Sequence, residues 1–339
     1  MGIGLDIGSK TIKVIELVPS GNTFALKAAA AVGYSKQIDI EAIKDEKELS
    51  NLAQIIKKLF ADANTSSKKI SIAIPEAQAF TRIMKFPLLS DQEIASAVKW
   101  EAEEYIPIPV KDAIIEHQIL ERQESGNPPQ VIVLLIAVHH DLVEKYIRLL
   151  SLAGLEVVGV ETSLMSLARS VSPANRTAII ADIGANSTNI GIAKNKQLFF
   201  SRSVPTAGTA LTRAVAQGIG VSLEQAEQYK RTYGLAADQL EGKVGQSVIP
   251  VIRSIIEEAK KAIHYYQLES KGDKPSSFIL SGGTAGLPGL PGILAKSIGT
   301  EVIIANPFTT VTSDPKTMQK LASFAPLYSV AVGLAMRGD

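Results

Sequence analysis

Two stretches of this 339-residue chain, GLDIGSKTIKVIEL at 4–17 and IADIGANSTNIGIA at 180–193, repeat one pattern. In each, an apolar run ends in Asp-Ile-Gly, small polar residues follow, and a second apolar run begins. Glycine permits a tight turn and a close approach of the backbone to a ligand. Each stretch therefore predicts a β-hairpin with a polar tip, one in each of two lobes.

The hairpin tips carry residue types that hold a polyphosphate, because backbone N–H groups and hydroxyls of such turns bind anions. The polar tip residues are Ser9 and Thr11 in the first copy, and Asn186, Ser187 and Thr188 in the second. Magnesium prefers carboxylate, water and phosphate oxygens together, so we expect Asp6 and Asp182 to face one Mg²⁺ in a cleft. A single Asp-Ile-Gly is explained equally well by an ordinary turn; the matched second copy favours the ligand site.

Composition indicates a globular protein large enough for two lobes. The chain is 46% hydrophobic and 20% charged, with a formal net charge of +1. No block of like charge indicates nucleic-acid binding or a polybasic membrane segment. The chain has no cysteine and no signal-peptide pattern at its start. The longest apolar run, at 131–138, is far shorter than the roughly 20 residues of a membrane helix. We therefore expect a cytoplasmic protein with no nucleic-acid partner.

Apolar strand-like runs alternate with segments of helical period, which is typical of a mixed α/β fold. The helices at 91–105 and 223–233 follow capping boxes, Ser-x-x-Glu and Ser-x-x-Gln, that mark helix starts. Further helices are predicted at 46–63 and at 161–171. A glycine-rich segment at 277–290 predicts a strand, a turn against a flat ligand and a helix, although a plain linker explains it as well.

Five segments resemble the nucleotide motifs of the actin-like ATPase superfamily, in the same order. They are Leu5–Val14, Ala181–Ile192, the predicted helix opening at Glu161, the Ser-Gly-Gly turn at 281–283, and the helix Tyr328–Arg337. Over nearly its whole length the sequence resembles the type IV pilus assembly protein PilM family. The most specific block is MKFPLLSDQEIASAVKWEAEEYIPIP at 84–109, and GLEVVGVET at 154–162 and AVGLAMR at 331–337 support it. In architecture the sequence also resembles the cell-division protein FtsA.

The resemblance implies an actin-like two-lobed ATPase fold, with an extra subdomain of the FtsA and PilM type in the first lobe. The implied subdomains are 1A (1–83, 161–176 and 310–339), 1C (84–160), 2A (177–207 and 272–309) and 2B (208–271).

The resemblance also implies a site for ATP or ADP with Mg²⁺, in which Asp6 and Asp182 face the metal directly or through water. The implied nucleotide-binding residues are Gly8, Ser9, Lys10, Thr11, Gly184, Asn186, Ser187, Thr188, Glu227, Lys230, Gly282, Gly283 and Thr284. Lys10 replaces a small polar residue of the family, and we expect its side chain in solvent. Glu227 and Lys230 share one helix face, where they would hold the ribose and base; an exposed intrahelical ion pair is the alternative.

Glu161 stands where the superfamily has the Gln or Glu that orients the attacking water. Mg²⁺ and backbone donors would stabilise the transferred phosphoryl group. An acidic residue in the first turn of a helix is the alternative explanation, since the helix dipole favours it there. The family uses nucleotide mainly to set conformation, so slow turnover at most is expected.

By resemblance, the 84–160 subdomain binds the cytoplasmic N-terminal peptide of the inner-membrane protein PilN, in a groove between 1A and 1C. Ile94, Val98 and Glu101 fall on one stripe of the predicted helix, and Trp100 is the only tryptophan in the chain. Burial of Trp100 in the core is the alternative, which its size favours. Membrane contact would then be indirect, and the protein would lie in the cytoplasm, peripheral to the inner membrane.

Other partners and functions remain open. The resemblance also implies contacts with further pilus or secretion platform components, with the assembly ATPase, and self-association. An FtsA-like filament-forming protein of cell division is a second hypothesis. A small-molecule kinase is a third, since one fold hosts many functions, but no motif supplies the substrate-site aspartate that such a kinase needs.

Overall fold

The computed structural model describes residues 1–34, 37–126, 128–269 and 273–338. The strands are β1 Gly2–Ile7, β2 Thr11–Ser20, β3 Thr23–Gly33, β4 Lys69–Ile74, β5 Ala79–Phe86, β6 Ala113–Gln123, β7 Gln130–His139, β8 Glu156–Thr162, β9 Thr177–Ile183, β10 Thr188–Lys194, β11 Gln197–Val204, β12 Ser277–Ser281, β13 Val302–Ile304 and β14 Val311–Thr312. The helices are α1 Glu46–Ala63, α2 Asp91–Tyr105, α3 His140–Leu152, α4 Ser163–Val171, α5 Gly208–Ile219, α6 Leu223–Tyr233, α7 Lys243–Glu269, α8 Leu290–Ile298, α9 Pro315–Ala322 and α10 Ser329–Ala335.

Two large sheets follow one plan, and each contains one of the two predicted hairpins. The first lobe has the strand order β14-β3-β2-β1-β4-β8, and the second has β11-β10-β9-β12-β13. In each, three antiparallel strands are joined by hairpins, and the first of the three also pairs in parallel with a later strand, β4 or β12. Parallel pairing requires a crossover connection, which α1 supplies in the first lobe and α5 to α7 supply in the second.

The capping boxes form as predicted. Ser90 Oγ accepts from the Glu93 N–H at 3.4 Å, and Glu93 accepts from the Ser90 N–H at 2.8 Å. The same reciprocal bonds join Ser222 and Gln225 at 3.2 Å. These bonds satisfy N–H groups that a helix start leaves without partners. The predicted bounds of α1, α2 and α6 are confirmed.

The helix predicted to open at Glu161 begins two residues later, at Ser163. Glu161 instead belongs to β8, where it lies opposite Ala73 of β4 in a parallel pair. The sheet extends this far because β-branched residues at 157, 158 and 160 favour a pleated, buried strand. The first-turn explanation for this glutamate is therefore wrong.

A three-stranded sheet, β5-β7-β6, forms a separate small unit with α2. Its core packs Phe86 of β5 and Val133 of β7 against the buried face of α2. By contrast, α3 packs against α1 in the core of the first lobe, and β8 lies in the six-stranded sheet. Sheet pairing thus supports bounds of 79–139 for this unit, which we call the insert, in place of the expected 84–160.

Close packing of α10 against α4 and β1 fixes the position of β1. A Cβ on Gly333 of α10 would lie 1.8 Å from the carbonyl oxygen of Ser166 in α4, and Cβ atoms on Gly2 and Gly4 would lie 2.1 Å from carbonyl oxygens of α10. These elements touch at backbone distance because the glycines lack a side chain. Leu334 of α10 also packs in one apolar cluster with residues of β9 and α4. The first hairpin is thereby held beside the second.

In the part of the chain that the structure describes, no helix has the length and apolar character needed to cross a membrane.

Candidate functional site

The two Asp-Ile-Gly stretches form the same turn. The Gly8 N–H donates to the Thr11 carbonyl at 3.0 Å, and the Gly184 N–H donates to the Ser187 carbonyl at 3.0 Å. A Cβ on either glycine would lie only 3.0 to 3.2 Å from that same carbonyl oxygen. The same hydrogen bond, from a glycine N–H to the carbonyl three residues later, closes both hairpin turns.

The two hairpins bring their aspartates into one electrostatic environment. Burial and the nearby Asp6 carboxylate raise the pKa of Asp182 to about 6, although Lys13 and a hydrogen bond from Ser281 act to lower it. Asp6 itself pairs with Lys13, whose Nζ lies 2.5 Å from Asp6 Oδ2. Both of these side chains are largely buried, at 15% and 8% exposure.

This arrangement fits a divalent cation. Two buried carboxylates face one ammonium, so ionised Asp182 is costly without a further positive charge. Carboxylate oxygens are the ligands that Mg²⁺ prefers. Lys13 was not predicted from the sequence. The signal that could have found it is a lysine between apolar residues of β2, directly opposite Asp6 in the hairpin register.

The loop at 282–284 packs against the second hairpin. The Thr284 N–H donates to the Ile183 carbonyl at 3.1 Å. Gly282 has a φ of +86°, and a Cβ there would lie 2.6 Å from the same carbonyl oxygen and 2.8 Å from Asp182 Oδ1. This position therefore requires glycine. Gly283, next to it, lies near Leu327.

Glu227 and Lys230 form an ion pair within α6, in which Lys230 is buried and Glu227 is half-buried, so the pair is not a fully exposed one. Lys230 donates to Glu227 at 2.6 Å, to Thr212 at 2.9 Å and to the Gly208 carbonyl at 3.1 Å. Partial burial acts to raise the pKa of Glu227, but hydrogen bonds from Lys230, Thr212 and Arg231 outweigh it and lower that pKa to about 2.

The Glu227–Lys230 pair is connected to the second hairpin through the start of α5. The Gly208 N–H donates to the Gly184 carbonyl at 3.1 Å, and Lys230 holds the carbonyl of the same Gly208. The predicted ribose and base residues and the predicted phosphate loop are therefore joined by two hydrogen bonds.

The remaining tip residues differ in exposure. Lys10 is exposed, as expected, while its backbone carbonyl and that of Ser9 accept from the segment that follows β3. Thr188 is fully buried and its hydroxyl donates to the Thr206 carbonyl at 2.6 Å, so its side chain supports the hairpin from within. Asn186 Oδ1 accepts from Thr209, whereas Asn186 Nδ2 is buried and has no partner among the described residues.

Both carboxylate oxygens of Glu161 are paired with Arg169. Arg169 donates to both carboxylate oxygens at 2.6 Å and to the Gly333 carbonyl at 2.8 Å. The Glu161 side chain is only 4% exposed. Its contacts are those of a structural residue that joins β8, α4 and α10, so the expected water-orienting role finds no support in them.

A second buried glutamate was missed in the sequence. Glu76 follows β4, and its Oε2 accepts from the Leu164 N–H at 3.1 Å and from the Ser163 hydroxyl at 3.4 Å, at the start of α4. Glu76 Oε1 is buried and has no partner among the described residues. Burial raises the pKa of Glu76, although hydrogen bonds from Ser201, Leu164, Thr162 and Ser163 act to lower it.

The four residues expected in the partner groove do not form one surface. Ile94 and Val98 are fully buried in the core of the insert, while Glu101 is exposed. Trp100 is 70% exposed, so the expectation of a core tryptophan is wrong. The helix turns Trp100 away from the strands that its apolar stripe covers, because positions 94, 98 and 102 already fill that stripe.

Comparison with known proteins agrees with this architecture. The family model described as type IV pilus assembly protein PilM matches residues 4–339. The chain belongs to this family. A solved structure of the PilM–PilN type IV pilus biogenesis complex contains a chain that is 28% identical, with 99% of this chain and 98% of that chain covered and a TM-score of 0.84.

More distant relatives confirm the actin-like fold of this PilM family member. MreB5 of Spiroplasma citri, solved bound to ADP, is 13% identical over 98% of this chain and 94% of its own, with a TM-score of 0.54. FtsA of Bacillus subtilis is 24% identical over 252 residues, which are 64% of this chain. The matched region spans 57% of the length of that FtsA.

Proposed function

We propose that this chain is an ATP-binding scaffold of the inner-membrane platform that assembles type IV pili or a related secretion apparatus. It binds the cytoplasmic N-terminal peptide of a PilN-like membrane protein. The observation that carries the proposal is the similarity over 99% of the chain to the PilM–PilN complex. The paired hairpins around Asp6 and Asp182 support the nucleotide part of it.

In the proposed nucleotide site, Asp6 and Asp182 hold Mg²⁺ directly or through water. The metal, when bound, neutralises phosphate charge. The turns that begin at Gly8 and Gly184 present backbone and hydroxyl groups to the phosphates. Lys13 limits the repulsion between the aspartates before the metal binds. The segment Gly282–Thr284 borders the adenosine.

The proposed peptide groove lies between the insert and the first lobe. Ala79 of β5 and Ile114 of β6 are partly buried against the core of the first lobe, so the insert and that lobe adjoin there. Among the described residues, β6 is an outer strand of its sheet, since only β7 pairs with it. An extended peptide gains affinity by pairing with such an edge and specificity from side-chain pockets.

The test is a calorimetric titration of a synthetic PilN-like N-terminal peptide, with and without Mg·ATP. Trp100→Ala reports on the insert, and Asp6→Ala reports on the nucleotide site. Phe324→Ala is a matched control, because Phe324 is an exposed aromatic residue outside the insert. We expect saturable binding that the control leaves unchanged, with an affinity that depends on ATP only when Asp6 is present. Weaker binding by Trp100→Ala would extend the peptide-binding surface to the outer face of α2.

Absence of saturable binding by folded, nucleotide-loaded protein contradicts the pilus assignment. ATP-dependent pelleting without peptide binding would then favour the second candidate, an FtsA-like filament-forming protein, which the B. subtilis relative supports.

A further inference from the structure

Glu76 borders the cleft into which the second hairpin projects. It lines a cavity of about 570 Å³ together with Asn186 and Ser187 of the hairpin tip. Both Glu76 and Asn186 have one buried polar atom without a partner among the described residues: the carboxylate Oε1 and the amide Nδ2. An acceptor and a donor left without partners at one cleft indicate a polar ligand, since buried polar groups are otherwise hydrogen-bonded.

The backbone explains why Glu76 and not Glu161 reaches this cleft. Successive residues of a strand point to opposite faces, and Glu161 of β8 points to the face where Arg169 and α10 lie. Glu76 comes just after the end of β4, and its side chain turns across the start of α4. One oxygen is anchored there by the Leu164 N–H, which fixes the carboxylate. The Ser201 hydroxyl, which lines the same cavity, also acts on this carboxylate.

We propose that Glu76 orients the attacking water and accepts its proton when this chain hydrolyses bound ATP. The inference rests on the proposed nucleotide-binding function. The water oxygen bonds to the γ-phosphorus, the bond from that phosphorus to the bridging oxygen breaks, and ADP keeps that bond pair. Glu76 Oε1 takes one water proton and later gives it to solvent, so the products are ADP, inorganic phosphate and one proton.

The surroundings of Glu76 suit a general base. Burial raises its pKa from the ordinary glutamate range, and a base is most effective when its pKa lies near the working pH. Glu76 also acts to raise the pKa of Asp182, which places its charge within reach of the proposed metal site. The partial positive charge at the start of α4 favours the ionised form needed to accept a proton.

The test compares Glu76→Gln with wild type in three measurements. We expect phosphate release in the presence of Mg·ATP to fall about 100-fold, as is typical for loss of a general base. Binding of a fluorescent ADP analogue and the melting temperature should stay within error of wild type. Affinity for ADP with aluminium fluoride, which mimics the transferring phosphoryl group, should fall at least tenfold, and this binding measurement needs no turnover.

Two further variants test the position of the carboxylate and provide a control. Glu76→Asp keeps the charge but withdraws it by one methylene, so it should also lose turnover while keeping ADP affinity. Glu104→Gln, on the exposed face of α2, is the control. Wild type that binds ATP but releases no phosphate overturns the inference alone, as does unchanged turnover in Glu76→Gln. Wild type that binds no nucleotide overturns the proposed nucleotide function and this inference together.

Discussion

Replacing Arg169 by methionine tests whether Glu161 has a structural role. The guanidinium makes two 2.6 Å hydrogen bonds to a carboxylate that is 4% exposed. Methionine keeps much of the apolar length but leaves that carboxylate buried without a counter-ion. Removing one partner of such a pair costs about 3–5 kcal/mol. Because the Arg169 side chain is 29% exposed and water reaches part of the site, we expect a loss near the lower end, about 3 kcal/mol of unfolding free energy.

The assay is urea unfolding followed by far-ultraviolet circular dichroism, on a double-mutant cycle with Glu161→Gln. Glutamine keeps the shape of the side chain but carries no charge, so the double variant should recover most of the stability that Arg169→Met loses. We expect a coupling energy of about 2 kcal/mol between the two positions. Exposed ion pairs have coupling energies below about 0.5 kcal/mol. A value in that range would refute the structural role of Glu161, and a water-orienting role would again be a candidate.

Three further predictions concern the packing of α10, the paired aspartates and the insert. Gly333→Ala should lower the unfolding free energy by about 3 kcal/mol in urea melts, because its Cβ would lie 1.8 Å from a carbonyl oxygen of α4, whereas Gly286→Ala, with open space around it, should not. Without ligand, Asp182→Asn should stabilise the fold at pH 7.5 by roughly 3 kcal/mol, because the Asp182 pKa of about 6 lies well above its ordinary value of 3.8. The folded chain holds the Asp182 proton more tightly than the unfolded chain, so this gain should vanish as the pH falls from about 6 towards 4. Ile94→Ala should cost about 3 kcal/mol because this side chain is fully buried, while exposed Trp100→Ala should cost under about 0.5 kcal/mol.

Local chemistry explains what the sequence predicted well. The two Asp-Ile-Gly hairpins and the capping-box helices depend on residues within a few positions of one another, so the printed sequence contains all the information needed. The duplicated pattern predicted one hairpin in each lobe. It did not predict the strand order of either sheet, which depends on pairing between distant segments.

Long-range packing explains what the sequence did not reveal. Whether Glu161 lies in a strand or a helix depends on how far β4 pairs with β8, 88 positions away at the Ala73–Glu161 pair. Glu76 stands in an ordinary loop pattern, and only the folded chain shows that α4 and the second hairpin enclose it. Trp100 was misplaced because residue size predicts burial only on average.

The position of Glu76 also suggests how the cleft and the insert communicate. The chain leaves the six-stranded sheet at Ile74 and enters the insert at Ala79, with Glu76 between them. The insert in turn touches the second lobe, where the hydroxyls of Thr81 and Ser201 lie 2.7 Å apart and Lys85 pairs with Glu269 at 2.7 Å. The insert therefore has two attachments, one to each lobe. If nucleotide changes the affinity for the peptide, as proposed, thermodynamic linkage requires that the peptide change the affinity for nucleotide by the same factor.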